Sequence, residues 1–78
     1  MTSLEFLMGY SGKDENGTIL YREYEGATTY KPISIKKAAQ ILENDVIETE
    51  DFFEACGAPR EKARPVVYSQ WKKKHLSL

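Results

Sequence analysis

Apolar residues recur with period two in the first part of the chain. Between residues 4 and 10 every second position is apolar, at Leu4, Phe6, Met8 and Tyr10. This alternation predicts a strand with one apolar face. The segment 18–25 (TILYREYE) is rich in β-branched and aromatic residues and predicts a second strand. Residues 27–33 predict a short third strand, and Pro32 either places it at an edge or ends it.

Glycine-containing pairs separate these predicted strands. Asn16-Gly17 is a strong hairpin signal, because both central positions of a type I′ turn require positive φ. A longer loop from Gly12 to Gly17 fits the same spacing equally well. Glu25-Gly26 predicts the next turn along the chain.

The apolar period lengthens to that of a helix from Ser34 onward. Ser34 is a suitable N-cap for a first helix that ends near Asn44-Asp45, and its apolar positions fall at i, i+3, i+4 and i+7: Ile35, Ala38, Ala39 and Leu42. A second, short helix is predicted over residues 50–56, capped by Thr49 and stopped by Gly57. A third helix is predicted from about residue 65 to residue 75.

This order of elements predicts an α+β domain. We expect an N-terminal antiparallel β-hairpin or three-stranded meander, followed by two to three short helices packed on one face. With 78 residues, the chain is expected to form one small globular domain over residues 1–78. A domain of this size buries a modest core, so a homodimer is a further expectation.

The charged residues of the second half are sorted by sign, although the net charge is only −1. Between residues 43 and 54 all charges are acidic: Glu43, Asp45, Glu48, Glu50, Asp51 and Glu54. Between residues 60 and 75 one acid, Glu61, stands among six bases: Arg60, Lys62, Arg64, Lys72, Lys73 and Lys74. Such sorting predicts local patches that a partner can recognise.

The acidic stretch and the tyrosines of the strands favour a protein partner. The strands carry more tyrosine than one apolar face needs, and Phe52 and Phe53 are adjacent, so one of the two rings is expected at the surface. We therefore predict a non-catalytic interaction or regulatory protein, an inhibitor or modulator of a host protein of the kind that phages and mobile elements encode. Its expected binding residues are Tyr21, Tyr24, Glu48, Asp51, Phe52 and Glu54.

The basic stretch supports an alternative function, nucleic-acid binding through the C-terminal helix. Its lysines and arginines could contact phosphates, and Tyr68 and Trp71 are interleaved with them. The residues expected to carry this alternative are Arg60, Lys62, Arg64, Lys72, Lys73 and Lys74. If Tyr68 and Trp71 instead share an apolar stripe with Val67, they fill the core and cannot stack on bases.

One segment resembles a metal-binding motif, the calcium loop of an EF-hand. Over Gly12–Glu23, oxygen-bearing residues and a glycine occupy loop positions three, five, six and twelve: Asp14, Asn16, Gly17 and Glu23. Gly12 lacks the carboxylate of the first ligand position, and the residues before it alternate as in a strand. We interpret the segment as a hairpin turn and predict no metal.

The remaining chemistry of the sequence is sparse. Cys56 and His75 are the only cysteine and histidine, and no glycine-rich phosphate loop accompanies them, so we predict neither an enzyme nor a cofactor. One cysteine cannot form an internal disulfide, which fits a reducing compartment. The N-terminus has no basic region and only a short apolar run, so we predict a cytoplasmic protein that does not contact a membrane.

Overall fold

A computed structural model of the chain describes residues 1–77. Its elements, in chain order, are α1 (Ser3–Ser11), β1 (Thr18–Tyr21), β2 (Lys31–Ser34), α2 (Ile35–Ala55), a 3₁₀ turn (Arg60–Lys62) and α3 (Ala63–Lys74). The α+β class is confirmed, and an antiparallel two-stranded hairpin precedes the two longer helices. A third strand is not among the elements of residues 1–77.

The first apolar segment forms the helix α1, so the strand predicted over residues 4–10 is wrong. A capping box starts the helix: the Thr2 hydroxyl accepts a hydrogen bond from the Glu5 amide at 3.1 Å, and the Glu5 carboxylate accepts one from the Thr2 amide at 2.9 Å. Phe6 and Leu7 are both buried, although neighbouring residues of a strand point to opposite faces. The alternation was therefore incidental, whereas Thr-x-x-Glu was the informative signal.

The hairpin forms one turn later in the chain than Asn16-Gly17 predicts. Gly17 does not adopt positive φ, and the segment before it leads from α1 into β1, with the Asp14 carboxylate accepting a hydrogen bond from the Asn16 amide at 2.9 Å. The two strands are β1 and β2, paired from Thr18↔Ser34 to Tyr21↔Lys31. The turn predicted at Glu25-Gly26 is confirmed within their loop, since Gly26 has a φ of 95°.

The first and second predicted helices form one continuous helix, α2, whereas the third predicted helix is confirmed as α3. Ser34 caps α2 as predicted, accepting a hydrogen bond from the Lys37 amide at 3.1 Å. The helix then continues through Asn44-Asp45 to Ala55, so the separate helix over residues 50–56 is wrong. Val46 is fully buried and extends the apolar stripe one turn beyond Leu42, which explains why no break occurs. Gly57 stops the helix at a φ of 79°, as predicted.

The core lies where α1, β1 and α3 meet one side of α2. Its largest fully buried side chains come from all three helices: Trp71, Leu7, Ile35, Leu42 and Val46. Phe6 stacks on Tyr68 at 4.4 Å between ring centres, which joins α1 to α3. Beyond Val46, α2 contains no buried residue, although it continues for nine more positions to Ala55. The C-terminal part of α2 thus extends past the core.

Replacement of Asn44 tests whether α2 is one helix. Asn44 is exposed in the middle of α2, so Asn44→Ala should stabilise the fold by about 0.5 kcal/mol through helix propensity. Asn44→Pro should cost about 3 kcal/mol or more, because proline removes a helical hydrogen bond and clashes with the preceding turn. Urea unfolding measures both changes. Equal, small effects of the two variants would indicate a linker at this position.

Candidate protein-binding face

The acidic and basic stretches of the sequence partly neutralise each other within the molecule. The Arg60 guanidinium lies 3.7 Å from a Glu50 carboxylate oxygen and 3.0 Å from one of Asp51, and it also contacts Glu54. Asp51 and Glu54 raise the pKa of Arg60 above its ordinary value. The charge sorting therefore reflects contacts between α2 and the segment that follows it, and two predicted binding residues, Asp51 and Glu54, already have an internal partner.

A second ion pair joins all three helices. Arg64 donates two hydrogen bonds to the Glu43 carboxylate, at 2.8 and 2.7 Å, and one to the Tyr68 hydroxyl at 2.7 Å. The buried Ser3 hydroxyl donates to Glu43 at 2.7 Å. The hydrogen bonds from Arg64 are the main reason why the pKa of Glu43 falls to about 2. This pair is structural, so Arg64 is not free to contact phosphates in this arrangement.

Arg22 fixes the loop between the two strands. Its guanidinium donates hydrogen bonds to the carbonyl oxygens of Lys74 at 2.6 Å and Lys73 at 3.1 Å, at the C-terminal end of α3. It also donates to the Ala27 carbonyl at 3.2 Å and lies over the Tyr30 ring at 5.2 Å. One cation thus satisfies the last carbonyls of a helix and holds both sides of the loop, which gives the loop a defined shape.

A groove of about 660 Å³ lies between this loop, β2 and the N-terminal half of α2. We call it the hairpin groove, and the side chains that define it are Tyr21, Tyr24, Lys31, Pro32, Lys37 and Ile41. Its volume is in the range of ordinary ligand and peptide pockets. Tyr24 is 65% exposed, whereas Ile41 is partly buried at the side of the groove, so the surface combines an aromatic ring with aliphatic contacts.

Tyr21 forms the inner wall of the hairpin groove. Its ring stacks on His75 at 5.5 Å and lies 5.5 Å from the Trp71 ring. Burial raises the pKa of the Tyr21 hydroxyl, and the nearby Asp45 carboxylate raises it further. Tyr21 therefore remains a neutral hydroxyl at physiological pH, and its partly buried ring packs against the core.

Phe52 stands on the same side of α2 as the hairpin groove. Glu48 and Phe52 follow Ile41 by seven and eleven residues, which are almost whole numbers of helical turns. The rise of an α-helix places Phe52 about 16 Å along the axis from Ile41. Phe52 is 64% exposed, and we refer to Phe52 with its neighbour Glu48 as the Phe52 knob.

A smaller cleft connects the knob with the wall of the groove. It has a volume of about 180 Å³ between α2 and α3, and both Glu48 and His75 line it. Since His75 stacks on Tyr21, the groove, the cleft and the knob follow one another along α2. Of the six residues predicted for a protein partner, this face brings together four, namely Tyr21, Tyr24, Glu48 and Phe52, while Asp51 and Glu54 contact Arg60.

The residues predicted for nucleic acid do not form one surface patch. Arg60 and Arg64 are paired with carboxylates, whereas Lys62, Lys72, Lys73 and Lys74 are exposed. Lys72 also lies over the Phe6 ring at 5.6 Å. Tyr68 and Trp71 are buried, and the Trp71 indole donates a hydrogen bond to Asp45 at 2.7 Å, so neither ring is available to stack on a base.

Residues 1–77 contain few of the groups that a metal-binding or catalytic site requires. Among residues 1–77, no group of three or more histidine, cysteine or acidic side chains could hold a metal ion. Cys56 is exposed at the C-terminal end of α2, while His75 follows α3 and hydrogen-bonds through Nδ1 to the Arg22 carbonyl at 2.8 Å. None of the helices within residues 1–77 is both long enough and apolar enough to cross a membrane.

Several residues of this face were not predicted from the sequence. Lys31 and Lys37 resemble ordinary surface lysines, and Arg22 lies in a segment predicted to be a strand. Ile41 offered a usable signal, because it is a large aliphatic residue adjacent to the predicted apolar stripe rather than within it. No pattern in the sequence indicates that the loop after β1 folds over α2.

Comparisons of the chain with protein-family models, with curated proteins and with solved structures found no match. The chemistry of the hairpin groove and the Phe52 knob is thus the basis for a functional interpretation.

The Glu43–Arg64 pair predicts a specific dependence of stability on pH. Because the folded-state pKa of Glu43 lies near 2, its contribution is fully present above the ordinary value of 4.5 and is lost as the pH falls from 4.5 to 2. The Glu43 side chain is 38% exposed, so we expect Glu43→Gln to cost only about 1 kcal/mol at pH 7. Urea unfolding at pH 7 and at pH 2 should show this difference shrinking in acid.

Glu61→Gln is the matched control for this experiment, since Glu61 is exposed and belongs to none of the four ion pairs within residues 1–77. It should change the free energy of unfolding little at either pH. A Glu43→Gln variant whose deficit persists undiminished at pH 2 would show that packing, not the ion pair, is lost.

Proposed function

We propose that this chain is a small non-catalytic protein that binds another protein through the hairpin groove and the Phe52 knob. The observation that carries the proposal is the position of Tyr24 and Phe52, which are 65% and 64% exposed and lie along one side of α2. Exposing large aromatic rings to water is unfavourable, and aromatic anchors supply much of the binding energy of protein interfaces. Regulation of the bound protein is the corresponding biological role.

The charges of the face indicate what its partner must offer. Lys31 and Lys37 border the hairpin groove and have no ion-pair partner within residues 1–77, while Glu23 lines it from the loop. The lysine side of the groove therefore suits an apolar side chain flanked by carboxylates. Glu48, beside Phe52, likewise has no ion pair there, so the knob suits an apolar pocket with a basic rim. Because aromatic burial dominates, the complex should survive moderate salt.

Nucleic-acid binding is the alternative function, and its support is the exposure of Lys72, Lys73 and Lys74 at the end of α3. Three neighbouring cations can attract phosphates, but the buried Tyr68 and Trp71 leave no aromatic ring beside them for stacking. Such binding would be electrostatic, and it would weaken steeply as salt is added.

Affinity capture separates the two functions. The immobilised chain is incubated with lysate of its source cells, with and without nuclease, alongside the variants Phe52→Ser and Tyr24→Ser. A protein that the wild type retains after nuclease treatment should be lost, or reduced about tenfold, with either variant, because each removes an aromatic anchor. Quantitative mass spectrometry of the retained proteins measures the change.

The matched control is Val66→Ser, which removes a 39% exposed apolar side chain on α3, outside the proposed face. It should retain the same protein as the wild type. Material that is released by nuclease, or by changing Lys72, Lys73 and Lys74 to alanine, would instead support the nucleic-acid alternative and contradict the proposal.

A further inference from the structure

We propose that the protein bound at this face is a second copy of the chain. In the inferred symmetric dimer, the Phe52 knob of each copy enters the hairpin groove of the other. This inference rests on the proposed function for its choice of face, and it adds the identity of the partner. The chain carries both a convex and a concave binding feature, and each fits the other in shape and in charge.

The position of both features on one helix makes the contact self-complementary. Lys37 and Ile41 belong to the hairpin groove, and Glu48 and Phe52 form the knob, on nearly the same side of α2. If two α2 helices pack antiparallel about a two-fold axis between Asn44 and Asp45, Phe52 of the second copy lies opposite Lys37, and Glu48 of the second copy lies opposite Ile41. A two-fold axis then forms the same contact twice.

The dimensions of the groove suit this occupant. A cavity of about 150 Å³ accommodates a benzene ring, whereas the hairpin groove has about 660 Å³. The groove therefore has room for the Phe52 ring and for side chains beside it. The aromatic ring of Tyr24 and the aliphatic surfaces of Pro32, Ile33 and Ile41 are the apolar contacts that it offers.

The charges favour the antiparallel arrangement over a parallel one. The groove lies at the N-terminal half of α2, where Lys31, Lys37 and the positive end of the helix dipole are found, and within residues 1–77 Glu23 is its one acidic lining residue. The knob lies at the C-terminal half, with Glu48 and the negative end of the dipole. Antiparallel packing brings Lys37 of one copy near Glu48 of the second copy, whereas parallel packing places like charges together.

The size of the face predicts a weak, reversible dimer. One helix face with a single ring inserted at each end is a small interface, so we expect a dissociation constant in the micromolar range. Sedimentation equilibrium across that range should show the mass rising from 8.9 kDa towards twice that value. Phe52→Ser should weaken self-association about tenfold or more, while Val66→Ser should leave it unchanged.

A charge exchange tests the geometry itself. Lys37→Glu places an acid of the groove near the acidic knob of the second copy, and Glu48→Lys places a base of the knob near the basic Lys37, so each variant alone should dimerise more weakly than the wild type. An equimolar mixture of the two should recover association, since the residues at positions 37 and 48 of the two variants then have opposite charges in both contacts. Lys72→Glu, a charge change on α3 outside the face, should dimerise like the wild type. Circular dichroism verifies that each variant is folded.

The outcomes separate this inference from the proposed function. Recovery in the mixture together with loss in Phe52→Ser supports the symmetric dimer. A wild type that stays monomeric, or a dimer that Phe52→Ser leaves intact, overturns it. If the wild type stays monomeric but captures a lysate protein in a Phe52-dependent manner, the proposed function stands with a different partner. Absence of both self-association and Phe52-dependent capture overturns the two together.

Discussion

Burial of one side of α2 is the interaction on which the rest of this structure depends. Ile35, Ala38, Leu42 and Val46 are all fully buried, and α1, β1 and α3 contribute their apolar residues against that single stripe. A small domain has little apolar surface to bury, so concentrating it along one continuous helix gives each other element a common surface to pack on. The same geometry determines where the exposed features lie, because each residue of α2 has a fixed angle relative to the buried stripe.

Polar interactions then join the ends of elements that the core does not cover. The Glu43–Arg64 pair, with Ser3 and Tyr68, links the N-terminus of α1 to α2 and α3, and Arg22 fastens the loop after β1 to the last carbonyls of α3. These contacts are partly exposed, so each contributes modestly to the free energy of unfolding. The Arg22 contacts also have a positional effect: they give the hairpin groove a defined wall, which lowers the ordering cost of binding.

The helices after Ser34 could be predicted from the sequence more accurately than the strands. Ser34 as N-cap and Gly57 as stop are local signals whose physics acts within one turn, and both are confirmed. The N-terminal segment illustrates the opposite case, because alternation at Leu4, Phe6, Met8 and Tyr10 competed with a capping box and with the burial of Leu7. The hairpin groove depends on contacts between residues far apart, such as Arg22 with Lys74, which no local pattern encodes.

The extension of α2 beyond its core is the feature that connects fold to function. After Val46 the helix contributes no buried residue, and its last turns are held mainly by the partly buried Phe53 and by the Arg60 ion pairs. If α2 served only to bury the apolar stripe that ends at Val46, the fold would not require an exposed aromatic ring at Phe52. The extension instead presents an aromatic side chain a fixed distance along a rigid helix from a groove on the same side. Helical rise and twist set that distance and direction. A partner whose own binding features have the same spacing can therefore contact the hairpin groove and the Phe52 knob together, without deformation of either chain.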